Sequence, residues 1–289
     1  IERRGNWKNQ DPEITGVVTN SLEVEKGDVF LARASNTRES HGVIFSDQAI
    51  ERGASLVITD PEGYQFALDK GLNSTTPFLI VGDLEHTLNY FCDVFYPVKP
   101  NFIMGITGTN GKTSVVNFSQ QLIEKKNNSC VTIGTLGVGG VLSLRTNNTT
   151  PDQSFIARIL QMAKLKGADY ALLEVSSHSI VQQRIKNLEF NVFCFTNLSQ
   201  DHLDYHKDME TYFHAKLSIL DMLRLDTNII VNIDDEYGKI FLAKAKDKGF
   251  KIETIGFSDT ADVKLRITRG TPEIQSIEII RGKFFYTFQ

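Results

Sequence analysis

The run "GITGTNGKTS", residues 105–114, closes a glycine-rich turn with a lysine and two hydroxyl side chains. That chemistry holds phosphate. The common phosphate loop places a glycine five positions before its Gly-Lys pair, where this chain has Ile106. A tighter G-T-N-G-K-T stands in its place, made by Gly108, Thr109, Asn110, Gly111, Lys112 and Thr113. Gly108 and Gly111 let backbone amides converge on oxyanions, Lys112 adds a point charge, and a helix starting near it presents free N–H groups. Thr113 or Ser114 can offer a hydroxyl to Mg²⁺. A strand-to-helix turn with an ordinary surface lysine has the same composition. The apolar strand before and amphipathic helix after are the context that the phosphate reading requires.

Two polar clusters follow apolar runs further on. "DYALLEV" ends on Glu174 and Val175, followed at once by Ser176, Ser177 and His178, and "FTNLSQDHLDYH" supplies Asp201, His202, Asp204 and His206. Alone, the first is also an edge acid near a turn and the second mere loop polarity. Their recurrence at successive strand ends beyond a phosphate loop makes Glu174 and His202 the preferred Mg²⁺ ligands. In "ETYFHAKLSIL", Lys216 stands among Tyr212, Phe213, Leu217, Ile219 and Leu220. A lysine lodged in apolar surroundings loses its charge more easily, and a neutral amine can add CO2 to become an anionic oxygen ligand. On composition alone the commoner reading is a lysine that reaches out to solvent.

The elements that must position these groups alternate. "FIMGIT", "DYALLEV", "NVFCFTN" and "NIIVNID" read as buried parallel strands, with "SVVNFSQQLIEKK", "DQSFIARILQMAKLKG" and "METYFHAKLSILDML" as helices between. On the first of these helices the spacing puts Val115, Phe118 and Leu122 on one face. Such alternation means a doubly wound, mostly parallel sheet whose ligands sit beyond the carboxyl ends of its strands. The tail, "VKLRITRG", "IQSIEIIRG" and "KFFYTFQ", reads as a small β-meander. Before all this lies a smaller α/β region: strands in "ITGVVTNS", "GDVFLARAS", "ASLVITD" and "PFLIVGD", helices in "GVIFSDQAIERG" and "LEHTLNYFCDVFY". The two prolines of "YPVKPN" mark a hinge, so the expected domains are residues 1–98 and 99–289. Both ends look cut, since the first residue is Ile and the last strand has nothing after it.

A chain of 289 residues, 41% hydrophobic, carries two cores more readily than one. With 31 basic against 35 acidic residues there is no electrostatic case for nucleic acid or an anionic membrane. Cys92, Cys130 and Cys194 form no CxxC pair and read as buried thiols of a reducing compartment. No apolar run approaches the ~18 residues of a membrane span, and the start is no secretion signal. A soluble, cytoplasmic protein is expected. His41, His86 and His214 are taken as surface or packing residues.

"GITGTNGKTS", "NNTTPD", "LLEVSSHSIVQQRI", "FTNLSQDHLDYHKDMETYFHAK" and "VNIDDE" occur in the order, and near the separations, of the Mur ligases. The chain resembles them from about Thr19 to Tyr237, most closely the MurE type, the UDP-N-acetylmuramoyl-tripeptide synthetases. The resemblance implies an ATP-dependent amide ligase of peptidoglycan synthesis that adds a diamino acid to UDP-N-acetylmuramoyl-L-alanyl-D-glutamate through an acyl phosphate. It implies that Gly108, Thr109, Asn110, Gly111, Lys112, Thr113 and Ser114 bind ATP phosphates and that Asn232 lies near the adenosine. It further implies that Glu174, His202 and Thr113 hold Mg²⁺ with Lys216 carbamylated by CO2. Asn148, Thr149, Thr150, Ser177, Gln182 and Arg184 match positions that bind the UDP-muramoyl substrate, in an enzyme expected to act as a monomer. The family's uridine-binding Asp-Ser-Arg appears here as Asn20-Ser21-Leu22, which keeps Ser21 but loses the acid and the guanidinium fork. The family's third domain, which binds the incoming amino acid, is expected to be absent. Rival readings are a folylpolyglutamate- or cyanophycin-type carboxylate ligase, a non-catalytic nucleotide-binding module, and a P-loop kinase or GTPase. Which diamino acid is added is not written in these residues.

Overall fold

The computed structural model describes every residue except 6, 8–11, 35–39, 73–75, 202, 271–274 and 289, and no side chain at 203, 204, 268–270, 275 or 288. The described chain forms two compact units: Ile1–Lys99 with Asp152–Met162, and Pro100–Pro151 with Ala163–Gln289.

In the first unit five short strands, β1 (Glu2–Arg4), β2 (Gly16–Val18), β3 (Asp28–Leu31), β4 (Leu56–Thr59) and β5 (Phe78–Ile80), pair in the order β1-β5-β4-β3-β2. All neighbours run parallel except β1, which is antiparallel to β5. Alternate residues point to opposite faces of a strand, and here both faces are apolar. Val18, Phe30, Val57 and Phe78 belong to one core, and Val17, Val29, Leu31, Leu56 and Ile58 to another. Helices α1 (Ser46–Glu51) and α2 (Pro61–Asp69) contribute Ala49 and Ala67 to the first core, and α3 (Leu84–Phe95) contributes Leu88 and Cys92 to the second. Asp60 starts α2 by accepting from the Gly63 amide at 2.6 Å, with Pro61 pre-set in the first turn, and Asp83 caps α3 in the same way.

From Pro100 the chain runs β6 (Phe102–Thr107), α4 (Lys112–Lys125), β7 (Cys130–Gly134), β8 (Gly137–Gly140), α5 (Gln153–Leu165), β9 (Tyr170–Glu174), α6 (Ser177–Val181), β10 (Val192–Phe195), α7 (Leu203–His206), α8 (Met209–Leu217), β11 (Asn228–Asn232), α9 (Glu236–Asp247), β12 (Lys251–Gly256), β13 (Val263–Gly270), β14 (Gln275–Arg281) and β15 (Phe284–Phe288), and all of these but most of α5 belong to the second unit. Its strands form one sheet in the order β15-β14-β13-β12-β11-β10-β6-β9-β7-β8. From β12 to β7 every pairing is parallel. The chain order reverses at β6: β9 and β7 lie on one side, β10 and β11 on the other. That is the topological switch point at which a doubly wound sheet opens a crevice. The β-meander of the tail is present as β13, β14 and β15, with β14 antiparallel to both its neighbours, and joins the main sheet through β12.

Two features differ from the sequence reading. First, Asp152–Met162, most of α5, packs with the first unit and interrupts the single boundary at 98. Polar contacts explain it: Arg158 donates to both Asp28 carboxylate oxygens at 2.9 and 2.8 Å and to the Tyr96 hydroxyl at 3.1 Å, and Gln153 donates to Asn89. Second, α4 turns the other way. Val116 is buried and Val115 and Ile123 pack beside it, while Phe118 and Leu122 are 64% and 65% exposed. All three cysteines are free and buried. Burial pushes Cys92 and Cys194 up to about 12 and Cys130 up to about 11, so none is a reactive thiolate at neutral pH. Among the described residues, no helix is long and apolar enough to cross a membrane.

Candidate nucleotide site

Strand β6 delivers the glycine loop to the switch point. Gly108 holds φ +145°, and a Cβ there would run into the Thr196 hydroxyl; Gly111, at φ +85°, caps α4 in the left-handed region that glycine tolerates. The loop is stapled to the end of β10. Asn197 accepts from the Thr109 amide through its carbonyl at 2.9 Å and from the Asn110 amide through its side chain at 3.0 Å. Thr196 Oγ1 and Asn197 Nδ2 both donate to the Asn110 carbonyl, at 2.7 and 3.1 Å. The Thr109 hydroxyl donates to the Ser199 carbonyl and accepts from the Ser199 amide, at 3.2 and 3.0 Å. The amides of Thr109 and Asn110 are therefore committed to the scaffold. At Lys112, Thr113 and Ser114 the first turn of α4 has no helical carbonyl behind its amides, and the positive end of the helix lies there.

Two lysines meet on one oxygen of this loop. Lys112 Nζ donates to the carbonyls of Gly108 and Thr109 at 2.9 and 2.8 Å, and Lys216 Nζ, arriving from α8, donates to the same Gly108 carbonyl at 3.0 Å. Lys216 is 1% exposed and lies over the Tyr212 ring, 4.7 Å from its centroid. Burial, and next the neighbouring Lys112 charge, push Lys216 down to about 7, against an opposing pull from Asp201. Lys112 is lowered as well, chiefly by burial. The carboxylates of Asp201 and, for Lys112, Glu174 oppose that lowering, and an anionic ligand beside the two ammonium groups would oppose it further.

Glu174 faces the loop from the end of β9, also 1% exposed. Its carboxylate accepts from Thr113 Oγ1 at 2.9 Å, from the Thr135 amide at 3.0 Å and from Thr135 Oγ1 at 3.1 Å. Gly134 makes this possible, because a Cβ there would overlap the carboxylate. Glu174 Oε2 and Thr113 Oγ1 are oxygen donors of the kind a hard divalent cation takes, beside the helix end that would hold its phosphates. Behind Glu174, Thr150 Oγ1 donates to the Glu174 carbonyl at 2.8 Å and accepts from the Ser176 amide at 3.0 Å. Arg184 donates to the Thr150 carbonyl and to the Gln182 side chain, each at 2.6 Å. Ser177 Oγ lies 2.8 Å from His206 Nε2, both groups buried.

A cavity of about 550 Å³ gathers most of the expected residues: 109–114, 148–150, Glu174, Ser177, Arg184 and Lys216, with Asp201 at its wall. Gly108 contributes its carbonyl to the lysines. Gln182 stands behind Arg184 rather than on the wall. Asn232 does not line the cavity; at the end of β11, its side chain accepts from the Asp234 amide at 3.0 Å. His202 lies outside the described residues. Ser21 belongs to the first unit, where it donates to Gln48 at 2.7 Å and lines a separate cavity of about 550 Å³ with Asn20, Leu22, Arg33 and His41. The sequence reading gave no role to Thr135, Asn197 or Ser199. Asn197 is the last residue of an expected strand, "NVFCFTN", so its position is a usable signal. Thr135 follows β7, a strand the reading passed over, and carried none.

A doubly wound α/β domain with a glycine loop at its switch point, a lysine pair on that loop and an acid on the neighbouring strand defines a phosphate-loop class of protein. Residues 106–286 match the Mur ligase middle domain family, and the chain belongs to it. It is 36% identical over 282 residues to UDP-N-acetylmuramoyl-L-alanyl-D-glutamate--2,6-diaminopimelate ligase of Rickettsia bellii, covering 95% of this chain and 56% of that protein. The ligase of the same name from Bacillus velezensis is 31% identical, with 94% and 55% covered. A solved structure of a ligase so named superposes with a TM-score of 0.75 at 26% identity, over 98% of this chain and 57% of the other. MurF from Acinetobacter baumannii shares the fold, with a TM-score of 0.68 at 17% identity, over 97% of this chain and 56% of that one. The chain spans about half the length of the curated relatives it matches.

Proposed function

We propose that this chain carries the nucleotide- and substrate-binding part of an ATP-dependent amide ligase of peptidoglycan precursor synthesis. Its acceptor is the D-glutamyl side-chain carboxylate of UDP-N-acetylmuramoyl-L-alanyl-D-glutamate, and a diamino acid supplies the amine. The relatives' names specify 2,6-diaminopimelate for that amine. The observation that carries the reading is the meeting of Lys112 and Lys216 on the Gly108 carbonyl, in one cavity with the Thr113–Glu174 pair. Two cations and a helix N-terminus at one point suit a reaction between anions, whose repulsion must be screened.

The acceptor carboxylate takes the terminal phosphoryl group of ATP, ADP departs, the amine attacks the resulting acyl phosphate, and inorganic phosphate leaves as the amide forms. Splitting the condensation in this way replaces one difficult step by two easier ones. The amides at Lys112, Thr113 and Ser114 and the Lys112 ammonium bind and orient the phosphates. Glu174, Thr113 and His202 would hold Mg²⁺, which when bound screens charge on the phosphates. A Lys216 pushed down to about 7 has a large neutral fraction at neutral pH, so its amine attacks CO2, forming an N–C bond and releasing a proton. The carbamate adds an anionic oxygen donor to that set. Asn148, Thr149, Thr150, Ser177 and Arg184, with Gln182 behind, form the side turned to the muramoyl substrate, and Ser21 the uridine contact in the first unit. A cytoplasmic monomer fits this reading.

Titration calorimetry with MgADP and with the UDP-muramoyl dipeptide tests it: binding of both is expected, and failure of both rejects the ligase reading. A carbamate resonance in ¹³C NMR under ¹³CO2, lost in Lys216→Met, tests the modification. This polypeptide alone is expected to turn over little or nothing, because closure by further parts completes such sites. ADP release dependent on dipeptide and diamino acid would reject that expectation.

A further inference from the structure

We infer that Tyr212 is a positioning residue of this site, holding the glycine loop and Lys216 in register and reaching Ser177 through His206. Tyr212 precedes Lys216 by four residues on α8, so the two side chains share a face of the helix. It is 1% exposed and does not line the cavity, so whatever it does there it does through its neighbours.

Those neighbours come from three elements. The Tyr212 hydroxyl is 3.3 Å from Thr109 Oγ1, the group that already bonds Ser199 and pins the loop. A buried tyrosine hydroxyl needs such a partner, and Thr109 Oγ1 has a lone pair to accept with. The ring lies under Lys216 Nζ at 4.7 Å, within the range where a cation is held by an aromatic face. The same ring stacks with His206 at 5.0 Å and 30°, and His206 Nε2 meets Ser177 Oγ at 2.8 Å. The Gly108 carbonyl that receives both lysines sits one residue before Thr109, so Tyr212 touches both ends of the Lys216–Gly108 contact. A shift of this one ring moves the lysine and its acceptor together.

Only the ligand arm of the test rests on the proposed nucleotide site. In the ligand-free chain, Tyr212→Phe is expected to raise amide hydrogen exchange at Thr109 and Asn110, the two loop amides held by Asn197, about fivefold, the ratio that one net hydrogen bond is worth. The exposed control Tyr90→Phe and the amides of β2 should stay at wild-type rates. Tyr212→Phe combined with Thr109→Val should exchange no faster than Thr109→Val alone, because both break the same contact. Acylation of Lys216, read by mass spectrometry, should match wild type in Tyr212→Phe, which keeps the ring, and rise several-fold in Tyr212→Leu, which loses it. Unchanged loop exchange, additive effects in the double variant, or equal acylation in the two Tyr212 variants each overturn the inference. With MgADP as probe, Tyr212→Phe should weaken binding by about the same fivefold factor, and unweakened binding counts against the role. A wild-type chain that takes up no MgADP rejects the nucleotide reading instead, and the exchange and acylation arms still decide the role of Tyr212.

Discussion

The hydroxyl of Thr113, in the first turn of α4, donates to the Glu174 carboxylate at the end of β9 across 2.9 Å. This contact ties a helix to the neighbouring strand at the point where the sheet opens. It also sets the rotation of the helix: with Thr113 turned toward the sheet, the residues one and two turns on that share its face are Val116 and Gln120. Function at the first turn thus fixes which side chains the remaining turns bury.

Removing the acid exposes how much hangs on it. Glu174→Ala leaves the Thr135 amide and the Thr113 and Thr135 hydroxyls without this acceptor and opens a void where the buried side chain stood. A destabilisation of roughly 2–3 kcal/mol is expected from denaturant unfolding of the second unit. Glu174→Gln keeps the shape and an acceptor oxygen, so it should unfold near wild type. It should nevertheless lose at least tenfold in affinity for ADP with Mg²⁺, a difference of about 1.4 kcal/mol, and little for ADP without the metal. Equal losses with and without Mg²⁺ would remove Glu174 from the metal's ligands.

The depressed Lys216 gives stability a pH dependence of known sign. Its value is about 7 in the folded chain against 10.5 for the free side chain. Below pH 7 both states carry the proton, and the folded one bears the cost of a buried ammonium. Between 7 and 10.5 the unfolded chain holds a proton that the folded chain has released, so stability rises with pH. In CO2-free buffer, wild type measured against Lys216→Met should gain stability from pH 7 to 9, with a slope approaching about 1.4 kcal/mol per pH unit. A flat or falling difference would mean that Lys216 keeps its charge when buried.

Much of this site is legible in the residues because its chemistry is local. The loop, its lysine and the acid beyond "DYALLEV" need only a strand, a turn and a strand end, and those were written in apolar runs. What was not legible depends on contacts between distant segments. The loop motif does not reveal that the Thr109 hydroxyl bonds Ser199 and its amide bonds Asn197, some ninety positions on. The helix face of α4 was misread for the reason just given: periodicity favoured Phe118 and Leu122, whereas Thr113 sets the phase. The uptake of Asp152–Met162 by the first unit rests on an Arg158–Asp28 pair separated by 130 positions.

The outward rotation of α4 is directly measurable. Phe118→Gln and Leu122→Gln, at exposed positions, should each change stability by no more than about 0.5 kcal/mol. Val116→Ala, in the core with Ile106, Leu172 and Cys194, should cost about 2 kcal/mol. The reverse ranking would restore the face that periodicity alone selects.

The Arg158–Asp28 pair makes the last prediction, in the first unit. Asp28 is 3% exposed and receives both bonds from one guanidinium, which also donates to Tyr96. Arg158→Met keeps the bulk of the side chain but strands the carboxylate, and breaking one side of a buried pair costs roughly 3–5 kcal/mol. Trp7 is the single tryptophan of the chain and packs against the core of Val17, Leu31 and Leu88, so its fluorescence reports on this unit. Its unfolding midpoint should fall sharply in Arg158→Met. Adding Asp28→Asn removes the stranded charge, so the double variant should recover part of that loss despite carrying one more substitution. A double variant less stable than Arg158→Met would show that the Asp28 carboxylate contributes through its bond from the Glu25 amide rather than through the arginine.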